Sequence, residues 1–413
     1  MVEWETATLD EVSINLVRGP FGGSLKKEIF VSSGYKVYEQ QDAIYGKTAI
    51  TRYFITFDKY NELIRFAIAD GDFIVSCSGT IGRIYRLPKN SPRGVINQAL
   101  LKITLNEKEI VPDFFLQYFR WDNFQQTIID DTQGGAMKNL VGMDKFKLTE
   151  IPKPPLPEQH RIAAVLSDTD ELITTLEKLI TKKKAIKQGA MQELLTGKRR
   201  LEGFSGEWVN MNLVANSTLK ARIGWQGLTT AEYLDNGYSY LVTGTDFING
   251  KIAWETCHYV DEYRYNQDRN IQIRNGDILI TKDGTIGKVA IVSELIKKAT
   301  LNSGVFVIRS KSEVYDHKFV YYVLLSQIFI DFLDKLAAGS TINHLYQKDF
   351  INFEFNVPPT LKEQTAIAES LSDMDLEINK LTAKLNKYRQ IKQGMMSELL
   401  TGRIRLTEDV QNG

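Results

Sequence analysis

This chain has few cysteines, few histidines and no net charge. Its 413 residues include two cysteines and four histidines, and 51 Lys and Arg residues balance 51 Asp and Glu residues. Cys77 and Cys257 lie far apart and form no CxxC pair, so the sequence predicts neither a disulfide framework nor a zinc site and favours a reducing cytoplasm. The net charge of zero gives no global sign of a polyanionic partner, although a local basic surface is compatible with it.

Long apolar runs and a basic N-terminal leader are also missing. The longest apolar run, near 319–333, is interrupted by Ser326 and Gln327 and is shorter than the roughly 18 residues that a membrane span needs. The first five residues, MVEWE, do not resemble a secretory signal. With 43% hydrophobic and 25% charged residues, the composition is that of a globular protein, and the length predicts two or more domains.

Familiar catalytic motifs are equally scarce. The segment 284–288 (GTIGK) lacks the spacing of a Walker A loop, and no GxGxxG follows a predicted strand. The segment 356–359 (NVPP) departs from the catalytic loop of amino-methyltransferases, and the histidines form no HExxH pair. The sequence therefore predicts a chain that catalyses nothing by itself and holds no metal or cofactor of its own.

The most informative feature is an internal repeat with a shift of 205 residues. The motif LPEQ at 156–159 returns as LKEQ at 361–364, and the runs IKQG and ELLTG at 186–189 and 193–197 return at 391–394 and 398–402. The same shift aligns GTIG at 79–82 with GTIG at 284–287. The chain is therefore two copies of one unit, each a globular segment followed by a helical one.

The helical segments show the pattern of a coiled coil. Each follows a proline-rich stretch and ends at a glycine, Gly197 or Gly402, suited to a left-handed C-cap. The predicted helices are about 40 residues, on the order of 60 Å long, and antiparallel pairing follows if the copies are related by a twofold axis. Apolar residues at heptad spacing mark the predicted seams: Leu166, Ile173, Leu176 and Ile180 in the first copy, and Leu371, Ile378, Leu381 and Leu385 in the second.

These patterns predict an α+β protein in which two mixed α/β domains are separated by two long antiparallel helices, with a pseudo-twofold internal repeat. One helix is expected in each of Asp113–Gln126 and His317–Lys335, and each GTIG is expected to be a hairpin turn. The predicted boundaries are 1–155 and 201–358 for the globular domains, and 156–200 and 359–413 for the helical segments.

The loops and the basic helices are candidates for contact with DNA. Lysine-rich stretches such as 182–187 on the helices fit either a solvated face or a path along a phosphate backbone. Glycine lets a backbone approach a partner closely, and Asn, Gln, Arg and Lys read base edges. The candidate DNA-binding residues are Arg18, Gly22, Gly23, Ser24, Lys26, Gln41, Ser78, Gly79, Thr80, Asn97, Gln98, Lys138 and Asn139 in the first copy, and Arg222, Trp225, Gln226, Thr245, Lys282, Asp283, Thr285, Asn302, Ser340, Thr341, Asn343 and His344 in the second.

Over its whole length the chain resembles the specificity subunits of type I restriction–modification systems. The resemblance rests on the doubled helical motif, the preceding Pro-Pro, and the segments 20–26 (PFGGSLK), 78–82 (SGTIG) and 339–341 (GST). The second copy departs from the pattern at 224–227, where GWQG replaces the PFGGS form.

This resemblance implies a non-catalytic subunit with two target recognition domains, each reading one half of a split site on double-stranded DNA. The helices would act as a spacer and dock two modification (methyltransferase) subunits. Those partners would bind S-adenosylmethionine and methylate adenine at N6, and restriction (motor–nuclease) subunits would join for cleavage.

Two other interpretations remain open from the sequence. The chain could be a coiled-coil scaffold that binds proteins and not DNA. It could also be an adenine DNA methyltransferase that lacks familiar motifs, in which case the isolated chain would bind S-adenosylmethionine.

Overall fold

The chain folds into two compact units that each combine one globular segment with parts of both long helices. In this computed structural model the description covers residues 4–21, 23–46, 48, 51–130, 139–224, 227–337 and 344–407. Unit 1 consists of Met1–Glu177 and Ala383–Gly413, and unit 2 consists of Lys178–Thr382. The units therefore divide each long helix near its middle, unlike the segment boundaries predicted from sequence.

Unit 1 is built around a four-stranded antiparallel sheet of order β2-β8-β5-β6 and a three-stranded sheet of order β4-β3-β7, in which β3 and β7 run parallel. The short pairs β1-β11 and β9-β10 complete it. Its elements are β1 (Glu5–Thr8), β2 (Ser13–Arg18), β3 (Tyr35–Tyr38), α1 (Gln40–Tyr45), β4 (Phe54–Ile55), α2 (Phe57–Glu62), β5 (Phe73–Ser76), β6 (Ile84–Arg86), β7 (Gly94–Ile96), β8 (Leu100–Leu105), α3 (Pro112–Arg120), α4 (Asp122–Ile128), β9 (Ile129–Asp130), β10 (Asn139–Leu140), α5 (Met143–Lys147), β11 (Glu150–Lys153) and the long helix α6 (Leu156–Leu194).

Unit 2 repeats this topology. Its sheets have the orders β13-β21-β18-β19 and β17-β14-β20, with β14 and β20 parallel, and β12 pairs with β22 as β1 does with β11. Its elements are β12 (Val209–Asn212), α7 (Leu213–Asn216), β13 (Ser217–Ala221), β14 (Ser239–Val242), β15 (Phe247–Ile248), β16 (Lys251–Ile252), β17 (His258–Val260), α8 (Glu262–Asn266), β18 (Ile278–Thr281), β19 (Val289–Ile291), β20 (Ala299–Leu301), β21 (Val305–Ser310), α9 (His317–Leu325), α10 (Gln327–Ala337), β22 (Glu354–Val357) and the long helix α11 (Leu361–Leu399).

The predicted fold class is confirmed, including the two long helices that pack together. Each helix has 39 residues, and Gly197 and Gly402 follow their ends with φ of 72°. Within unit 1 the start of α6 packs on the end of α11 through Leu166 and Leu399. Within unit 2 the end of α6 packs on the start of α11 through Leu194 and Leu371, so the pairing is antiparallel in both units. The seam residues are buried or half-buried.

The GTIG segments form hairpin turns as predicted, because β5 pairs antiparallel with β6 and β18 with β19. The helix prediction was wrong in one respect: each predicted single helix is two. In unit 2, Ser326 adopts an extended backbone between α9 and α10. Its hydroxyl donates to Val323 O (2.7 Å) and accepts from Ile328 N (3.3 Å), ending one helix and capping the next. In unit 1, Trp121 is extended between α3 and α4.

In each unit a buried carboxylate near the start of one long helix is bound by an arginine that follows the end of the other. In unit 1, Glu158 accepts hydrogen bonds from Arg405 Nε (2.8 Å) and Nη2 (2.7 Å), from Leu406 N (3.0 Å) and from Trp4 Nε1 (3.2 Å). In unit 2, Arg200 donates to both oxygens of Glu363. The two carboxylates are 3% and 1% exposed.

A second pair of ionic contacts repeats in the same way along the helices. Lys392 Nζ lies 2.7 Å from Asp170 Oδ1 in unit 1, and Lys187 Nζ lies 2.6 Å from Asp375 Oδ1 in unit 2. Each aspartate also accepts a hydrogen bond from the globular segment of its unit, Asp170 from Gln117 Nε2 (2.8 Å) and Asp375 from the hydroxyl of Tyr322 (2.9 Å). The contacts therefore tie helix to helix and helix to globular segment at equivalent points.

Substituting Arg405→Ala should destabilise unit 1 by about 2–3 kcal/mol, because it leaves the Glu158 carboxylate buried without its main partner. Burial alone would raise the pKa of Glu158, but the hydrogen bonds from Arg405 and Trp4 outweigh it and the pKa is lowered. A lowered pKa in the folded state stabilises the fold above the ordinary carboxyl pKa. The difference between wild type and variant should therefore be full at pH 7 and shrink as the pH falls below about 4.5.

Urea unfolding followed across this pH range would measure the effect. Arg403→Ala is the matched control, since Arg403 lies in the same tail but makes an exposed pair with Glu398, and it should cost no more than about 0.5 kcal/mol. Equal losses for the two variants would contradict the assignment.

Candidate nucleic-acid interface

The turns after β5 and β18 share one backbone frame. In unit 1 the Ser76 hydroxyl donates to Thr80 O (2.5 Å) and accepts from Arg83 N (3.0 Å). In unit 2 the Thr281 hydroxyl donates to Thr285 O and accepts from Lys288 N (2.9 Å). Both glycines of each turn have positive φ, between 63° and 81°, a conformation that favours glycine. In each unit a hydroxyl at the end of the strand therefore stabilises the same type of turn.

In unit 1 several predicted loops meet beside this turn. Cys77 N donates to Ala99 O (2.8 Å), and Gly19 N donates to Leu100 O (2.8 Å), which brings the end of β2 and the turn at 97–99 together. Gln40 Nε2 donates to Ser78 O, which adds the start of α1. The predicted residues that this frame collects are Arg18, Gln41, Ser78, Gly79, Thr80, Asn97 and Gln98.

Unit 2 builds the same cluster from different side chains. The turn at 243–246 is closed by a capping box between Thr243 and Asp246, as Glu39 and Asp42 close the start of α1. Gly244 lies so close to the turn that a Cβ there would be 2.7 Å from Thr281 Cγ2. Lys282 N donates to Gly304 O (2.9 Å). The predicted residues collected here are Thr245, Lys282, Asp283, Thr285, Asn302 and His344.

Three of these side chains form a closed ionic cluster. His344 Nδ1 contacts Asp283 Oδ1, and His344 Nε2 lies 3.3 Å from Lys282 Nζ. Lys282 Nζ is also 3.6 Å from Asp283 Oδ2 and 5.8 Å from the centre of the Phe306 ring. Lys282 and Asp283 are the first two residues after β18, and His344 contacts them from a distant part of the sequence.

Arg222, one of the predicted DNA-binding residues, is buried in the structure. Arg222 is 2% exposed, and its guanidinium donates to Leu301 O (2.9 Å) and Thr300 Oγ1 (3.2 Å). Burial, followed by the nearby charge of Arg264, lowers its pKa. Arg222 therefore supports the edge of the sheet from inside, and its guanidinium is not exposed at the surface where DNA contact was predicted.

Other predicted residues stand apart from the cluster or outside the description. Gly23, Ser24 and Lys26 lie in the segment after β2, and Leu25 of this segment packs on the small apolar cluster around Val37 and Val95. The following predicted positions lie outside the described residues: Gly22, Lys138, Trp225, Gln226, Ser340, Thr341, Asn343 and the side chain of Asn139.

The basic helices are less free than the sequence suggests. Lys183 pairs with Glu377 (2.6 Å) and Arg389 with Glu177 (2.6 Å), in addition to the pairs made by Lys187 and Lys392. These lysines and arginines therefore serve helix pairing first. Their acidic partners were not among the predicted site residues, although Asp170 and Asp375 occupy equal positions in the repeat.

The described residues contain no cluster of three His, Cys, Asp or Glu side chains that could hold a metal ion. In the part of the chain that the structure describes, no helix is both long and apolar enough to cross a membrane.

One known protein family matches most of this chain. The family described as "Type I restriction modification DNA specificity domain" matches residues 1–188 and 228–392. The chain belongs to this family. A specificity subunit is the part of a type I restriction–modification complex that recognises DNA sequence, and it is not catalytic. The predicted family, the role in DNA sequence recognition and the lack of catalysis are therefore confirmed, and the scaffold and methyltransferase interpretations are set aside.

Individual relatives agree with the family match. This specificity subunit is 28% identical over 328 residues to the "Type I restriction enzyme MjaVIII specificity subunit" of Methanocaldococcus jannaschii, covering 76% of this chain and 75% of the relative. It is 25% identical over 421 residues to the "Putative type I restriction enzyme MjaX specificity subunit" of the same organism, covering 98% and 94%. The crystal structure of the S subunit of a type I restriction–modification system from M. genitalium shares the fold, with a TM-score of 0.60, 16% identity and coverage of 97% and 96%.

Substituting Gly19→Ala in the specificity subunit should displace the turn at 97–99, because the new Cβ would lie 1.8 Å from Asn97 O. We expect a loss of about 1–3 kcal/mol in stability of unit 1, as for other overpacked positions. Gly23→Ala is the control, since a Cβ at Gly23 meets nothing within 4 Å. Thermal unfolding would compare the two, and similar melting temperatures would contradict the close approach at Gly19.

Proposed function

We propose that each unit reads one half of a two-part DNA target through the loop cluster beside its turn. The proposal rests on one observation, which is that the two units share the geometry of this turn but carry different side chains on it. Ser76 and Thr281 build the same turn, but the two residues that follow are Cys77 and Ser78 in unit 1 and Lys282 and Asp283 in unit 2. A shared frame with different polar groups at its surface fits two domains that recognise different base sequences.

The residues proposed for this role are those that the frames collect and leave exposed or half-exposed. In unit 1 they are Arg18, Gln41, Ser78, Gly79, Thr80, Asn97 and Gln98, and in unit 2 Thr245, Lys282, Asp283, Thr285, Asn302 and His344. Base reading by these groups gives selectivity, whereas most phosphate affinity would come from elsewhere, because many helix lysines and arginines are already paired.

The long helices would dock two modification (methyltransferase) subunits, with restriction (motor–nuclease) subunits joining the complex. Support comes from Ile186 on α6 and Ile391 on α11, which occupy equal positions in the repeat and are 48% and 40% exposed. One exposed isoleucine at the same place in each unit fits two copies of one partner. S-adenosylmethionine would be bound by those partners, and this chain would contribute no cofactor site.

Ile186→Glu should reduce capture of the neighbouring methyltransferase subunit, because docking would then bury an unpaired carboxylate. We expect at least roughly tenfold weaker retention, equal to about 1.4 kcal/mol, and a further loss when Ile391→Glu is added. Co-purification from cells that express both proteins would measure it.

Lys380→Glu, on an exposed face of α11, is the matched control and should leave retention unchanged. Full retention in the double isoleucine variant would contradict docking at these positions while leaving DNA recognition untouched.

The helices would also set the distance between the two half-sites. Inserting four residues after Leu179, with a matching insertion after Lys384, lengthens both helices by about 6 Å. The expected result is a methylated motif whose two half-sequences are unchanged and whose spacer is about one or two base pairs longer.

Mapping of methylated adenines in cells that co-express the methyltransferase would test this. A four-residue insertion after Lys89, in the exposed turn between β6 and β7, controls for the extra chain length and should leave the spacer unchanged. A changed half-sequence with the old spacer would argue against the helices as a spacer, and a single uninterrupted motif for the unaltered chain would overturn the two-part reading.

A further inference from the structure

The cluster of Lys282, Asp283 and His344 has a hydrogen-bond pattern that fixes which group it presents to a ligand. His344 Nδ1 faces Asp283 and His344 Nε2 faces Lys282 Nζ. An ammonium group can only donate and a carboxylate can only accept, so the tautomer that satisfies both contacts carries its proton on Nδ1 and accepts at Nε2. Nδ1–H then donates to Asp283 Oδ1, so His344 binds one oxygen of the carboxylate.

The three side chains differ in how far they reach into solvent. Lys282 is 12% exposed and lies over the Phe306 ring, whereas His344 is 31% and Asp283 is 41% exposed. The His344 ring also packs 4.4 Å from the ring of Tyr346. Lys282 and His344 are therefore held by contacts with aromatic rings, and the Asp283 carboxylate is the most exposed group of the cluster.

Unit 1 shows that the fold does not need this cluster. Cys77 and Ser78 occupy the positions of Lys282 and Asp283, and Cys77 is fully buried. The turn frame is nevertheless the same in both units. The cluster is thus an addition to the surface of unit 2, at the place where the proposed function puts the bases.

A carboxylate at a DNA interface is repelled by the phosphates. It favours binding only where it accepts a hydrogen bond that offsets this repulsion. In the major groove the amino groups of cytosine (N4) and adenine (N6) are the available donors, and Asp or Glu accepts from them. The adjacent lysine offsets the repulsion, and the histidine aligns the carboxylate.

Resting on the proposed function, we propose that Asp283 reads one exocyclic amino group, of a cytosine or an adenine, in the half-site of unit 2. Lys282 and His344 are positioning residues that hold its carboxylate. Asp283 is thereby a specificity-determining residue, and unit 1 has Ser78 in place of this carboxylate.

The first test uses the unaltered chain in its assembled methyltransferase complex. Each cytosine or adenine of the unit 2 half-site, other than the methylated adenine, is replaced by its analogue without the amino group, and binding is measured by competition. One position should bind roughly 5- to 150-fold more weakly, the range of one specific base contact. Equal replacements in the unit 1 half-site give the reference for general effects.

The second test identifies the reader of that position. In the Asp283→Ala complex the analogue and the natural base should bind within about twofold of each other at this position, because no side-chain acceptor for the amino group remains. His344→Ala should lower discrimination at the same position only, and His344→Gln, which keeps a donor, should restore part of it.

The outcomes separate this inference from the proposed function. If no analogue in the unit 2 half-site weakens binding, or if Asp283→Ala discriminates as well as the unaltered chain, the assignment to Asp283 is wrong while two-part recognition stands. If sequence changes in neither half-site affect binding, the proposed function itself fails.

Discussion

The structure depends on a carboxylate near the start of each long helix that is bound by an arginine beyond the end of the other. Glu158 accepts from Arg405, from Leu406 N and from Trp4, so the helix start, the tail and the residue just before β1 must assemble together. Glu363 and Arg200 do the same in unit 2. Because a buried carboxylate without partners is costly, these contacts fix the antiparallel register within each unit, and the globular segment is built on that register.

This arrangement separates the groups that hold the fold from the groups that differ between the units. The hydroxyls of Ser76 and Thr281 close the two turns with backbone partners only, so the turn does not depend on the residues that follow. Those residues are free to change from Cys77 and Ser78 to Lys282 and Asp283 without loss of the frame. A duplicated frame of this kind allows each copy to acquire its own surface chemistry at little cost in stability.

Sequence patterns predicted the parts of the fold that local chemistry decides. Heptad spacing, prolines and terminal glycines located both long helices, and the GTIG repeats located the hairpins, because each signal acts within a few residues. Arg222 and Ser326 show where such reasoning ends. Arg222 is buried by Gln267, Thr300 and Leu301, which are distant in sequence, and the break at Ser326 needs its hydroxyl to serve two helices at once. The candidate loops were identified from their glycine and polar residues, but which loops lie together depends on the sheet order.

Part of the positive charge of the long helices is neutralised by acidic residues of the opposite helix. Lys183, Lys187, Arg389 and Lys392 are matched with acidic residues of the opposite helix, so the charges that hold the helices together cancel within each unit. Few of these cations remain to release counterions from DNA, and the non-specific affinity of the chain alone is expected to be low. For a subunit whose role is discrimination, base contacts then make up a larger share of the binding free energy, and the specificity ratio depends on those contacts.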